Sequence, residues 1–138
     1  MARLIIRQEV IDIAHSYGVK VSFRKLKSEA GLACLRRELV ILAKNADRET
    51  TLSTLMHEIG HIVAKREGKF KVYHSVGRVW TRKLVRKYVQ TALRAELYVD
   101  RWAEREFKKL FPELKYERAY RTKEHRKWFR ETQLKGML

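Results

Sequence analysis

An α+β fold in a single domain spanning residues 1–138 is what this sequence predicts, and three observations carry it. Short stretches with period-two alternation occupy the first third of the chain. Between residues 52 and 63 the apolar residues recur at helical spacing. Residues 77–111 then continue at helical spacing with basic punctuation. Strands followed by helices give a small antiparallel sheet of about three strands ahead of a helical half.

The elements follow in order. Leu4, Ile5, Val10, Ile13, Ala14 and Tyr17 recur at helical spacing, and Gly18 supplies a stop, so 3–17 is read as an amphipathic helix. Residues 19–23 alternate and read as a strand; 31–35 reads as a second, short one. The run 39–43, Leu-Val-Ile-Leu-Ala, is the most apolar strand candidate. Asp47 or Thr50 is placed to cap the next helix, which runs to about Glu67 and stops at Gly68. Residues 70–76 alternate again, as a short strand or extended loop. The helical pattern of 77–111 is expected to break near 88–91 and to end before Pro112. Beyond it the chain is polar, aromatic and basic, with some helix expected over 123–134.

The chemistry is concentrated in His57-Glu58-Ile59-Gly60-His61. Residues four apart on a helix lie one turn apart on the same face, so both imidazoles can reach one metal ion, with Glu58 beside them to hold a water. The helix itself supports this. Leu52, Leu55, Met56, Ile59, Ile62 and Val63 form one apolar arc, and at about 100° per residue the two histidines and Glu58 fall on the opposite one. Histidines packed merely as core residues would share the apolar arc.

A catalytic zinc site needs a third protein ligand and keeps a position for water. The candidates after His61 are Glu67, His74, Glu96, Asp100, Glu104 and His125. Glu67 lies on the motif helix, too far round to converge. His74 has suitable chemistry but sits on a short extended stretch. Glu96 is preferred because it lies in a helical stretch rich in small residues, which permits a close helix–helix approach. Asp100 is one turn further on the same face, where it could accept the outer N–H of a ligating histidine and fix its tautomer. The competing reading of Glu96 and Asp100 is a pair of surface acids paired with Arg94 or Arg101.

These two motifs, His57-Glu58-x-x-His61 and Glu96-x-x-x-Asp100-Arg101-Trp102-Ala103, together with the strand-rich lead-in, resemble those of the gluzincin metallopeptidases. Within that group they are most similar to the ImmA/IrrE-like zinc peptidases and the archaeal minigluzincins. The resemblance spans roughly residues 1–110 and is specific at the two motifs. It implies a zincin-like domain in which the motif helix packs under the sheet and an edge strand holds extended peptide. It also implies a Zn2+ cofactor held by His57, His61 and Glu96, Glu58 as general base, and peptide or protein as substrate. For the edge strand the candidates are 39–42 and 31–35; for an electrophilic helper they are Tyr73, His74, Tyr88 and Tyr98. The basic C-terminal third departs from the family pattern.

Charge is the other strong feature. The chain carries 32 Lys and Arg against 16 Asp and Glu, a net charge of +16. Residues 1–60 hold 10 basic and 7 acidic residues, residues 61–138 hold 22 and 9, so the excess lies in the second half. Such a field attracts nucleic acid; the high charge density also fits a protein from a hot environment. A nucleic-acid module with a structural zinc, or a non-catalytic descendant of a peptidase, are the rival readings. The longest aliphatic run, 39–43, is far short of a membrane span, and the opening residues, broken by Arg3, Arg7 and Glu9, do not read as a signal peptide, so a cytoplasmic address is expected. The single cysteine, Cys34, excludes an internal disulfide. Residues 1–111 are expected to form the core of the domain. Residues 112–138 form a basic extension of net charge +4, either a strap over the cleft that keeps the enzyme latent or a grip on an anionic partner.

Overall fold

A computed structural model describes residues 2–27, 29–69, 82–118 and 123–137. Helix α1 (Ala2–Ser16) leads into strands β1 (Lys20–Arg24), β2 (Gly31–Cys34) and β3 (Leu39–Ala43), followed by helices α2 (Arg48–Arg66), α3 (Arg82–Leu110) and α4 (Lys123–Met137). The result is a small mixed α+β domain. The expected strand at 70–76 lies outside the described residues.

The sheet has the order β1-β3-β2. Here the expectation of an antiparallel sheet needs correction. Strands β2 and β3 pair antiparallel, with Leu32 opposite Ile41, but β1 and β3 run parallel, with Val21 opposite Val40. The reason is the path of the chain. After β1 it passes the position that β3 will occupy and builds β2 beyond it. A tight turn at 35–38 then returns it between the two strands, in the direction of β1. Glu38, at φ 52°, makes the left-handed corner of that turn, and its carbonyl accepts the Lys20 N–H at 3.0 Å. The strand run 39–43 is therefore central and cannot be an edge; β2 is one of the two edges.

Local signals account for the helix ends. Gly18 adopts φ 70°, a conformation that costs glycine nothing, and closes α1 through its N–H to His15 and the Val19 N–H to Ala14. Asp47 is the N-cap of α2: its carboxylate accepts the Thr50 N–H at 2.7 Å. Helix α3 is continuous, against the expected break near 88–91. That stretch holds no proline or glycine, and its buried stripe, Val85, Val89 and Leu93, runs on without a change of face. Thr91 turns its hydroxyl back to the Lys87 carbonyl at 2.9 Å, which helices tolerate.

The core sits where α2 is enclosed by α1, by β2 and β3, and by α3. Val10, Ala14, Val40, Leu42, Leu52, Leu55, Met56, Ile59, Ala103 and Phe107 are fully buried within it. The apolar arc of α2 points into this core, so its polar arc is left facing a cleft alongside α3. Residues 111–118 lie over the end of this assembly, and Tyr116 is a member of the core. The structured unit thus continues past the boundary expected at residue 111. Among the described residues no helix is long and apolar enough to cross a membrane.

Candidate metal centre

Two helices build the site. Helix α2 presents His57, Glu58 and His61, and α3 presents Glu96 and Asp100. What lets them meet is Gly60, between the two histidines. A Cβ there would lie 2.8 Å from Val99 Cγ1 and 3.1 Å from Trp102 Cε3, so α2 and α3 touch at this point with no room for a side chain. The small residues around Glu96 predict a close approach; the position that permits it is the glycine within the histidine motif.

At this crossing, His57, His61 and Glu96 each turn one donor atom toward a common point, all within 4.8 Å of one another. His57 Nε2 lies 2.8 Å from Glu96 Oε2, His61 Nε2 lies 3.2 Å from the same oxygen, and the two Nε2 atoms are 3.2 Å apart. These three residues could hold a metal ion. Glu96 can accept from both rings through its two oxygens, but that arrangement turns two N–H groups toward each other across an Nε2–Nε2 distance of 3.2 Å, which hydrogen bonds alone satisfy poorly. A single cation satisfies all three at once.

Behind this triad stands a second layer. His57 Nδ1 meets Asp100 Oδ1 at 2.8 Å, and the Tyr116 hydroxyl donates to the same oxygen at 2.7 Å. Asp100 is only 3% exposed, which rules out the reading of it as a surface acid paired with Arg94 or Arg101. A carboxylate so placed holds the His57 N–H on Nδ1 and leaves Nε2 for the metal. A buried carboxylate needs donors of its own, and Tyr116 supplies one.

The electrostatics follow from this crowding. Burial alone would depress the His57 imidazolium, but its bonds to Asp100 and Glu96 outweigh that and push it up to about 10. Burial likewise opposes the ionised Glu96, yet the two histidines pull it down to about 2. Burial raises the Glu58 carboxyl, with His57 and His61 partly offsetting the rise. Tyr116 is held firmly as the phenol, first by burial and then by the adjacent Asp100 carboxylate. The triad thus carries a proton where a cation would sit, and metal binding must displace it.

The cleft in front of the triad has a volume of about 320 Å³. Its walls include Ala30 and Gly31 at the start of β2, Ser53, Thr54 and Glu58 of α2, and Tyr116 and Glu117. The segment bearing Tyr116 is tied down at this wall: the Glu117 N–H donates to Ser53 Oγ at 3.4 Å, and Arg118 pairs with Glu104. A larger hollow of about 880 Å³ lies between α1 and the end of α3, lined by Ile6, Ile13, Leu110 and Phe111 with the Glu9–Arg48 ion pair at its rim. It is mostly apolar and, among the described residues, holds no convergent set of metal-ligating groups, so the smaller cleft is the candidate site.

The other candidates from the sequence fall elsewhere. Glu67 is exposed at the end of α2 and accepts the Tyr98 hydroxyl at 3.3 Å, which also takes Tyr98 away from the cleft. Glu104 pairs with Arg118 and Lys108, and His125 is exposed on α4. Tyr88 is half-buried and is not among the described residues lining the cleft. Tyr73 and His74 lie outside the described residues. Cys34 is half-buried on β2 and does not line the cleft. Tyr116 is the residue that sequence reasoning missed. Its signal was faint: after Pro112, Leu114 and Tyr116 are the apolar members of an otherwise charged segment, which marks them as the side chains that turn inward.

The class that this geometry defines is a two-helix His/His/Glu centre with an adjacent glutamate in an open cleft. No family model matches the chain, and no curated protein or solved structure shows significant similarity to it.

Proposed function

We propose that this protein is a zinc-dependent metallopeptidase, of the gluzincin type that its two motifs resemble. The observation that carries the reading is the convergence of His57, His61 and Glu96 on one point, with Glu58 beside them in a cleft reached from solvent. Zinc suits the donor set. Two imidazoles and a carboxylate at bond lengths of about 2.0–2.2 Å place tetrahedral ligand atoms about 3.3 Å apart. The observed separations of 2.8 to 3.2 Å lie just inside that value. Among the described residues the centre has three protein ligands rather than four, which favours a catalytic over a structural centre.

A zinc ion bound here would supply a Lewis acid for the scissile carbonyl and a lowered pKa for a water. The chain's own residues do the rest. Asp100 and Tyr116 orient His57 through its Nδ1–H. Glu58, its carboxyl raised by burial, takes the proton from the attacking water and hands it to the leaving nitrogen. The start of β2, at Ala30 and Gly31, borders the cleft, and among the described residues β2 has an edge without a strand partner, along which an extended peptide can add as a strand. Tyr116 and Glu117 form part of the wall of the same cleft.

The test is Glu58→Gln. The variant should retain metal and fold but lose hydrolysis of a mixed peptide library by at least about a hundredfold, the scale of a lost general base. Wild-type rates in the metal-loaded variant would remove Glu58 from the mechanism.

A further inference from the structure

Helix α3 presents a second feature that the metal centre does not use. Viewed down its axis at about 100° per residue, Lys83, Lys87, Arg94, Arg101, Arg105 and Lys108 fall within a single arc of about 60°. The only other residue in that arc is Gln90. All seven are exposed, and none of the helix's acids, Glu96, Asp100, Glu104 or Glu106, shares it. From Lys83 to Lys108 the stripe runs about 37 Å at 1.5 Å per residue.

A merely solvated helix face is normally laced with opposite charges at i, i+4. This one instead sets Lys83 beside Lys87 and Arg101 beside Arg105, like charges that repel at that spacing. Among the described residues only Lys108 of the six has an acidic partner, Glu104 on the edge of the stripe. The helix bears this repulsion near both of its ends, and a polyanion lying along the stripe would neutralise it.

We infer that the solvent face of α3 is a docking surface for the phosphate backbone of double-stranded DNA. The length of the stripe is close to one turn of B-form duplex. Its residue types bind phosphates and offer little else. No aromatic side chain lies in the arc to stack on unpaired bases, and no apolar one to enter a lipid surface. The exposed face of a helix can approach the wide major groove of B-DNA, whereas the major groove of A-form RNA is too deep and narrow to receive it. This placement differs from the one the sequence offered, a grip at 112–138 as the alternative to a strap. There α4 mixes acids with its bases, and Lys127 is already paired with Glu131 at 3.8 Å.

The experiment is fluorescence anisotropy of a labelled DNA duplex of about two helical turns, titrated with the full chain across a salt series. The triple variant Arg94→Glu/Arg101→Glu/Arg105→Glu is compared with Lys25→Glu/Arg36→Glu/Arg37→Glu, three exposed cations off the stripe with the same change in net charge. The stripe variant should bind at least about tenfold more weakly and flatten the log–log salt slope by about two to three, at roughly 0.9 for each phosphate no longer neutralised. The control should change affinity less than about threefold. The corresponding glutamine variants repeat the comparison if either charge-reversed protein fails to fold. Equal losses in both variants would reduce the effect to net charge and overturn the inference. So would salt-insensitive or absent duplex binding by wild type, tighter binding to an RNA duplex, or stripe-dependent binding to anionic vesicles stronger than that to DNA.

Discussion

Replacing Gly60 with alanine sets two known effects against each other. Alanine is favoured over glycine inside a helix by about 1 kcal/mol. Against this, the new methyl would sit 2.8 Å from Val99 Cγ1 and 3.1 Å from Trp102 Cε3, closer than packed carbons come. Neither neighbour can yield easily. Val99 is fully buried and β-branched, with one preferred rotamer in a helix, and the Trp102 ring packs edge-on against Tyr17 at 5.5 Å between centroids. Overpacking of this kind costs about 1–3 kcal/mol. The net is a destabilisation of about 1 kcal/mol, or a fall of about 2–4 °C in melting temperature for a chain of this size. The more telling effect is on the centre. Helices that separate by a few tenths of an ångström carry His57 and His61 away from Glu96, and metal affinity should fall by about tenfold, equivalent to about 1.4 kcal/mol. Differential scanning fluorimetry with and without zinc, and competition with a chelator, read both quantities. A Gly60→Ala protein that melts higher and binds metal as tightly as wild type would refute the close-contact argument.

Three further outcomes are expected. His57→Ala, His61→Ala and Glu96→Ala should each lose most bound metal by elemental analysis while Glu67→Ala keeps it; full retention in Glu96→Ala would transfer the third ligand to another residue. Tyr116→Phe leaves the buried Asp100 one donor short, which should cost about 1–3 kcal/mol of stability and weaken metal binding at least about tenfold; unchanged values for both would strip Tyr116 of its supporting role. Arg66 holds the Glu38 carboxyl, and the Thr50 N–H the Asp47 carboxyl, below the ordinary range. A lowered folded pKa contributes stability above the unfolded pKa that is lost as pH falls through the folded one, so the melting temperature should drop on acidification below about pH 4. Glu38→Gln/Asp47→Asn should shrink that drop, and an undiminished drop in the double variant would exonerate both carboxylates.

Much of this was legible in the sequence because it depends on spacing within one element. The histidine pair, the Glu96–Asp100 turn, the Asp47 cap and the three strand positions all rest on local periodicity. Strand direction was not legible, since the period-two pattern of β1 is the same whether its neighbour runs with it or against it. The continuity of α3 was masked by its basic punctuation; charged residues on the exposed face interrupt the pattern of letters without interrupting the helix. Tyr116 was hidden for a different reason. Its role depends on a hydrogen bond to Asp100 across 16 residues of chain, and nothing in either residue's immediate neighbours encodes it.

The order β1-β3-β2 also constrains how the sheet can assemble. The first two strands to emerge are not partners; among the described residues each pairs only with the third. No ladder can form until residues 39–43 are in place. The β2–β3 hairpin, closed by four residues, is then the cheapest pairing to make, because its loop entropy is small and such hairpins form within about 1–10 μs. Strand β1 must arrive afterwards, carrying α1 packed against it, to complete a parallel ladder of higher sequence separation. The wall of the cleft at the start of β2 therefore belongs to the earliest local unit of the sheet.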